Sequence, residues 1–140
     1  MGPLHDTIVA PITAYGRGAV AIVRVSGPDA FDVARAVCPD FPDRPESGRA
    51  RHVRLENGDD GLLLAFAGGS GYTGEPSVEF QVHGSTASVH TLLDACLRQG
   101  CRLAEPGEFT FRAFLNGRMD LTQAEAVRAL AEAQTALQLR

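Results

Sequence analysis

The sequence predicts an α/β domain, a mixed sheet with packed helices, followed by one extra helix. Three observations predict it. Val20-Ala21-Ile22-Val23-Arg24-Val25 is a nearly continuous apolar run, the pattern of a strand covered on both faces. Ser77 to His83 alternates cleanly, with Val78, Phe80 and Val82 facing one way and Glu79, Gln81 and His83 the other. Elsewhere the apolar residues recur at helical spacing, as Ala30, Phe31, Ala34 and Val37 do. A chain of 140 residues is long enough for one such domain with a real core.

Taken in order, Thr7 to Ala10 is a short apolar strand and Gly16-Arg17-Gly18 a turn. The strand from Ala19 to Val25 follows, and Ser26-Gly27-Pro28 opens a helix with Pro28 in its first turn. Pro39 to Gly48, rich in Pro, Asp and Arg, reads as a surface loop. Arg51 to Glu56 and Leu62 to Phe66 are strands joined by a turn over Asn57 to Gly61, a hairpin with a longer loop. Gly68 to Pro76 is a glycine-rich connection to the alternating strand at Ser77. Ser85 caps a helix that runs to Gln99, with Gly100 as its stop. Cys101 to Ala104 is a last short strand. Pro106 and Glu108 suit the start of a helix, Asn116-Gly117 its end, and Asp120 with Gln123 forms the capping box of the next. That final helix, Leu121 to about Leu139, aligns Leu121, Ala124, Val127, Leu130 and Leu137 along one apolar stripe with no obvious partner. A domain boundary is expected there: residues 1–118 form the first unit and 119–140 begin a second, helical one.

Composition narrows the chemistry. The formal net charge is −4, whereas a domain that grips phosphate backbones by itself is normally basic; direct RNA binding by this chain is therefore disfavoured, a local arginine patch being the one route left open. There is no lysine, which excludes a Schiff-base lysine and a P-loop, whose Lys must reach the phosphates. Cys38, Cys96 and Cys101 contain no Cys-x-x-Cys, so buried reduced thiols are expected rather than zinc or disulfides. No apolar run approaches the ~20 residues of a membrane span and no signal-peptide pattern is present, so a cytoplasmic location is expected.

Four residues stand out as candidates for binding. Arg24 lies in an apolar strand, where a guanidinium is costly unless it snorkels to water or is paired. Glu79 belongs to what pattern alone reads as a solvated strand face. Tyr72 sits in Gly69-Ser70-Gly71-Tyr72-Thr73-Gly74, which spells G-x-G-x-x-G. A strand rather than a helix follows, so no helix N-terminus awaits a pyrophosphate, and the segment reads as a surface connection or as a loop over a ligand with Tyr72 as its lid. Arg118 follows Asn116-Gly117, where a cation favours a helix C-terminus. His83 and His90 have no third ligand at a helpful spacing, and no catalytic residue or metal ligand is assigned.

Three separated stretches carry a family resemblance that spans nearly the whole chain. Pro106-Gly107-Glu108-Phe109-Thr110-Phe111-Arg112-Ala113-Phe114-Leu115-Asn116-Gly117-Arg118-Met119-Asp120-Leu121-Thr122-Gln123-Ala124-Glu125-Ala126 resembles the signature ending the N-terminal, folate-binding domain of tRNA-modification GTPases of the MnmE (TrmE) type. Ser70 to Glu75 with Val78 to Gly84, and Asp6 to Ala10 with Gly16 to Gly27, resemble the same family. A Gly is inserted before Tyr72, Pro76 replaces a frequent Asp, and Ser85 replaces a Gly. The resemblance implies a fold similar to the tetrahydrofolate-binding domain of the glycine-cleavage T-protein and of YgfZ-like proteins. It implies binding of a reduced folate, 5-formyl- or methylene-tetrahydrofolate, through Arg24, Glu79, Tyr72 and Arg118. It also implies a homodimer that works with the FAD protein MnmG on the wobble uridine of tRNA, tRNA being an indirect partner of this chain and the GTP, Mg and K sites lying in a GTPase domain this chain lacks. The chain is then either part of such a GTPase or a stand-alone folate-dependent protein of the aminomethyltransferase or YgfZ type.

Overall fold

A computed structural model describes residues 5–13 and 20–138, with the side chains placed as far as residue 133. The strands are β1 (Ile8–Pro11), β2 (Val20–Ser26), β3 (Arg51–Arg54), β4 (Asp60–Phe66), β5 (Ser77–His83) and β6 (Arg102–Leu103). The helices are α1 (Ala30–Val37), α2 (Thr86–Arg98), α3 (Glu108–Leu115) and α4 (Leu121–Gln138). All six strands form one sheet in the order β3-β4-β5-β2-β1-β6. The pairs are antiparallel except for β1 with β6, so the sheet is mixed, as the sequence predicts. The turn expected at Gly16-Arg17-Gly18 and the side chain of Leu137 lie outside the described residues.

The period-2 pattern of β2 and β5 decides where everything else goes. Ala21, Val23 and Val25 pair in register with Val82, Phe80 and Val78, and all six side chains are buried. Helices α1 and α2 pack over this face, bringing Val33, Ala34, Val37, Val89, Leu92 and Cys96 into the core. The other face of the same strands carries Ile22, Arg24 and Ser26 beside Gln81, Glu79 and Ser77. β4 extends it with Leu62, Leu64 and Phe66. Two helices thus cover one face, while α3 packs against α4 and reaches the other face through Phe109, whose ring lies over Arg24.

Two helix starts differ from the sequence reading. α1 begins at Ala30 with Asp29 as its N-cap, two residues after Pro28. Gly27 has φ +141° and lies so close to Thr7 that a Cβ there would sit 2.6 Å from the Thr7 Cα, and the Thr7 hydroxyl accepts from the Asp29 amide at 2.9 Å. The entry to α1 is therefore set by docking on the N-terminal segment. α3 begins at Glu108 with Gly107 at its N-cap, so Pro106 precedes the helix rather than standing in its first turn. Other caps match the pattern: the Ser85 hydroxyl accepts from the Ser88 amide at 3.1 Å. Asp120 and Gln123 make both bonds of the capping box, at 2.7 and 2.9 Å.

The three cysteines are buried and unpaired. Burial pushes the Cys96 thiol up to about 12 and the Cys101 thiol up to about 11, so neither is a thiolate at neutral pH.

Candidate functional site

Register builds the site. Arg24 on β2 stands directly across from Glu79 on β5, both on the face away from α1 and α2. Arg24 Nε donates to Glu79 Oε2 at 3.0 Å, and one terminal nitrogen lies in ion-pair contact with the same oxygen, also at 3.0 Å. Arg24 is only 9% exposed, so it does not snorkel; it meets its need for a counter-charge across the strand pair. Glu79 Oε1 takes no hydrogen bond among the described residues.

Two rings flank the guanidinium. Arg24 Cζ lies 4.6 Å from the Tyr72 ring centroid and 5.0 Å from that of Phe109, both within cation–π range. Tyr72 comes from the glycine-rich connection and Phe109 from the first turn of α3. A hydrogen bond of 2.9 Å between the Tyr72 and Thr110 hydroxyls ties these two walls together. Arg118 closes the loop from outside, its Nε donating to the Gly71 carbonyl at 2.9 Å. Arg24, Tyr72 and Glu79, the residues singled out from the sequence, thus meet in one place, and Arg118 grips the loop that carries Tyr72.

A second layer of charge holds that place. Arg112 is 1% exposed and donates from its terminal nitrogens to Asp6 Oδ1 at 2.7 Å, Glu75 Oε1 at 3.0 Å and Glu108 Oε2 at 3.1 Å. Arg102 bridges Asp6 at 2.6 Å and Glu108 at 2.7 Å. Ser26 donates to Glu75 at 2.6 Å, so the 2.8 Å bond between Ser26 and Thr73 takes its proton from Thr73. Hydrogen bonds from Arg102 hold the Asp6 carboxyl below its ordinary value against the opposing effect of burial. Burial pushes Glu108 upward, but bonds from Arg102, the Glu105 amide and Arg112 together hold it below the ordinary value. Arg112 Nε is buried without a hydrogen-bond partner.

Phe109, Arg112 and Glu75 were not singled out from the sequence. The spacing of Glu108 and Arg112, one helical turn apart, is a local signal for that ion pair. Nothing local points Arg112 at Asp6, which is 106 residues away in the chain. Of the clefts on the surface, one of about 430 Å³ and one of about 230 Å³ lie elsewhere, and neither is lined by Arg24, Tyr72, Glu79 or Arg118. The room above Arg24 is filled by the two rings. A ligand reaching the free Glu79 oxygen has to displace Tyr72 or enter along the open sheet face.

Residues 7–118 match the family described as GTP-binding protein TrmE N-terminus, a stretch that includes every residue of this cluster except Asp6. The chain belongs to the TrmE N-terminus family. Among its curated relatives is a protein of Halorhodospira halophila named tRNA modification GTPase MnmE, 54% identical over 93% of this chain and 28% of that protein. Proteins of the same name from Phenylobacterium zucineum and Caulobacter vibrioides are 48% and 51% identical over 98% of this chain, each match covering 31% of the relative. The chain thus spans less than a third of the length of these TrmE-family relatives. No helix among the described residues is long and apolar enough to cross a membrane.

Proposed function

We propose that this chain is the reduced-folate-binding and dimerisation module of a tRNA-modification GTPase. In this reading residues 1–118 bind 5-formyl- or methylene-tetrahydrofolate, and residues 119–140 open a helical unit. The full protein works in the cytoplasm with the FAD protein MnmG, delivering a folate one-carbon unit to the wobble uridine of tRNA. GTP and its metal ions belong to a part of the protein outside this chain.

The observation that carries the folate reading is the meeting of Arg24, Tyr72 and Glu79 on the sheet face opposite α1 and α2. A pterin presents a ring N–H and an exocyclic amine side by side, and a carboxylate can accept from both. Glu79 has one oxygen already oriented by Arg24 and a second one free, so it is held ready to receive such an edge. Tyr72 and Phe109 supply flat apolar faces for a ring system, and Arg118 sits at the outer side of the loop, where a folate's negatively charged tail would need a cation.

Calorimetric titration of 5-formyltetrahydrofolate into the wild type and into Glu79→Ala tests the assignment. Losing a charged hydrogen-bond partner should weaken binding by about 2–3 kcal/mol. Equal affinity in the two proteins would remove Glu79 from the site.

A further inference from the structure

A cleft of about 430 Å³ lies between the proline-rich loop after α1 and the β3–β4 edge of the sheet, away from the Arg24 cluster. Its apolar floor is Leu63 and Ala65, and its rim carries Arg44, Arg49 and Arg51 against a single acid, Glu46. Glu46 is spent on Arg49 at 2.9 Å. The side chains of Arg44 and Arg51 have no hydrogen-bond or ion-pair partner among the described residues. The nearby Asp40 turns its carboxylate to the Arg54 amide at 2.8 Å. On a chain of net charge −4, this is a concave, locally cationic site with two guanidinium forks unspent.

We infer that this cleft takes phosphate groups of an RNA backbone. Guanidinium forks match phosphate oxygens in geometry and charge, and they bind them bidentately. The cleft is open and its arginines are exposed, so it lacks the buried polar anchors that fix a small molecule in one pose. It suits a polymer that brings several phosphates to flexible side chains. Because the rest of the chain carries a net negative charge, its summed field disfavours such a strand over the remaining surface as a whole. Choosing RNA over an acidic peptide rests on the tRNA part of the proposed function; the phosphate chemistry does not depend on the folate site.

The test is fluorescence anisotropy of a labelled RNA stem-loop titrated with the chain over a roughly tenfold range of salt. Each lost phosphate contact lowers the salt slope by about 0.7–0.9. Arg44→Gln with Arg51→Gln should therefore flatten the slope by about 1.5 and weaken binding about 30-fold at the low-salt end. Arg35→Gln with Arg128→Gln, exposed arginines outside the cleft, should leave slope and affinity unchanged. An equal loss in both double variants, or in neither, overturns the inference. So does a poly-glutamate peptide that binds the wild type as tightly as the RNA does, since the cleft would then be a site for acidic chains. The Arg44/Arg51 variant should bind 5-formyltetrahydrofolate as the wild type does. Failure of the wild type to bind folate would strike the proposed function and leave the salt slopes to judge the cleft.

Discussion

Arg112 has the largest fully buried side chain among the described residues, and its surroundings explain why that is tolerated. Its charge is met by three carboxylates, and Arg102 supplies a second cation to two of them. Replacing Arg112 with Met keeps the volume but leaves Glu75 and Glu108 short of a partner in the interior. Breaking a buried pair from one side costs about 3–5 kcal/mol. Urea unfolding at neutral pH should show a loss of that size for Arg112→Met. Acid should erase much of the difference. Asp6 and Glu108 both titrate lower in the fold than in the unfolded chain, so their stabilisation is full above the ordinary carboxylate value near 4 and is lost as pH falls through the depressed folded values. A wild-type advantage that persists unchanged at acid pH would mean that Arg112 acts by packing alone. The sequence gives little warning of this residue. Glu108 is a helical neighbour, but Asp6 and Glu75 meet Arg112 only after the sheet has brought three distant segments together.

At the scale of elements, the glycine-rich connection matters more than its G-x-G-x-x-G spelling suggested. It holds no phosphate-binding turn; it docks on the C-terminal end of α3 and carries Tyr72 to Arg24. Gly74 shows how closely. It has φ +78°, and a Cβ there would lie 2.9 Å from both Asn116 Cβ and Arg118 Cγ. Gly69 has φ +88° but faces open space. An alanine pays the backbone cost at either position, about 1–2 kcal/mol. Only Gly74→Ala adds the clash and pushes the loop off α3. Gly74→Ala should therefore destabilise the chain more than Gly69→Ala, and it alone should lower the affinity for 5-formyltetrahydrofolate by moving Tyr72. Parallel thermal melts and titrations compare them, and equal effects would show that the loop has room to shift. The elements themselves were legible wherever a single period dominates. β5 begins and ends at Ser77 and His83, as its alternation predicts, and the capping box at Asp120 forms in full. Helix entries were read less well. Pro28 and Pro106 suggested first turns, whereas docking on Thr7 and the left-handed Gly107 start each helix two residues later. The pairing of Arg24 with Glu79 was hidden for a related reason: each side chain lies within a local pattern, but their register is set by the whole sheet.

For the whole molecule, the unfinished surface is the most informative part. Leu121 and Leu130 on α4 are 59% and 62% exposed, and Leu115 on α3 is 49% exposed. Of the stripe read from the sequence, Leu121, Val127 and Leu130 are therefore exposed and Ala124 is half-buried. Apolar side chains spaced along one helix face seek a partner, which is a second copy of this chain or further residues of a longer one. The proposed function requires the chain to dimerise. A two-fold arrangement would apply the same patch twice, and a stable interface of that kind should bury at least about 1,200 Å² in total. The prediction is that the chain sediments as a dimer across a wide concentration range. If the stripe is the contact, Leu121→Glu with Leu130→Glu should give a folded monomer, because two charges placed on a two-fold apolar patch become four at the interface. If the dimer survives those changes, it uses another surface, and the stripe is left for residues beyond this chain. A wild type that stays monomeric at tens of micromolar, a concentration at which a stable dimer would be populated, would remove dimerisation from the proposed function of this chain while leaving the Arg24–Glu79 site to be judged by its own titration.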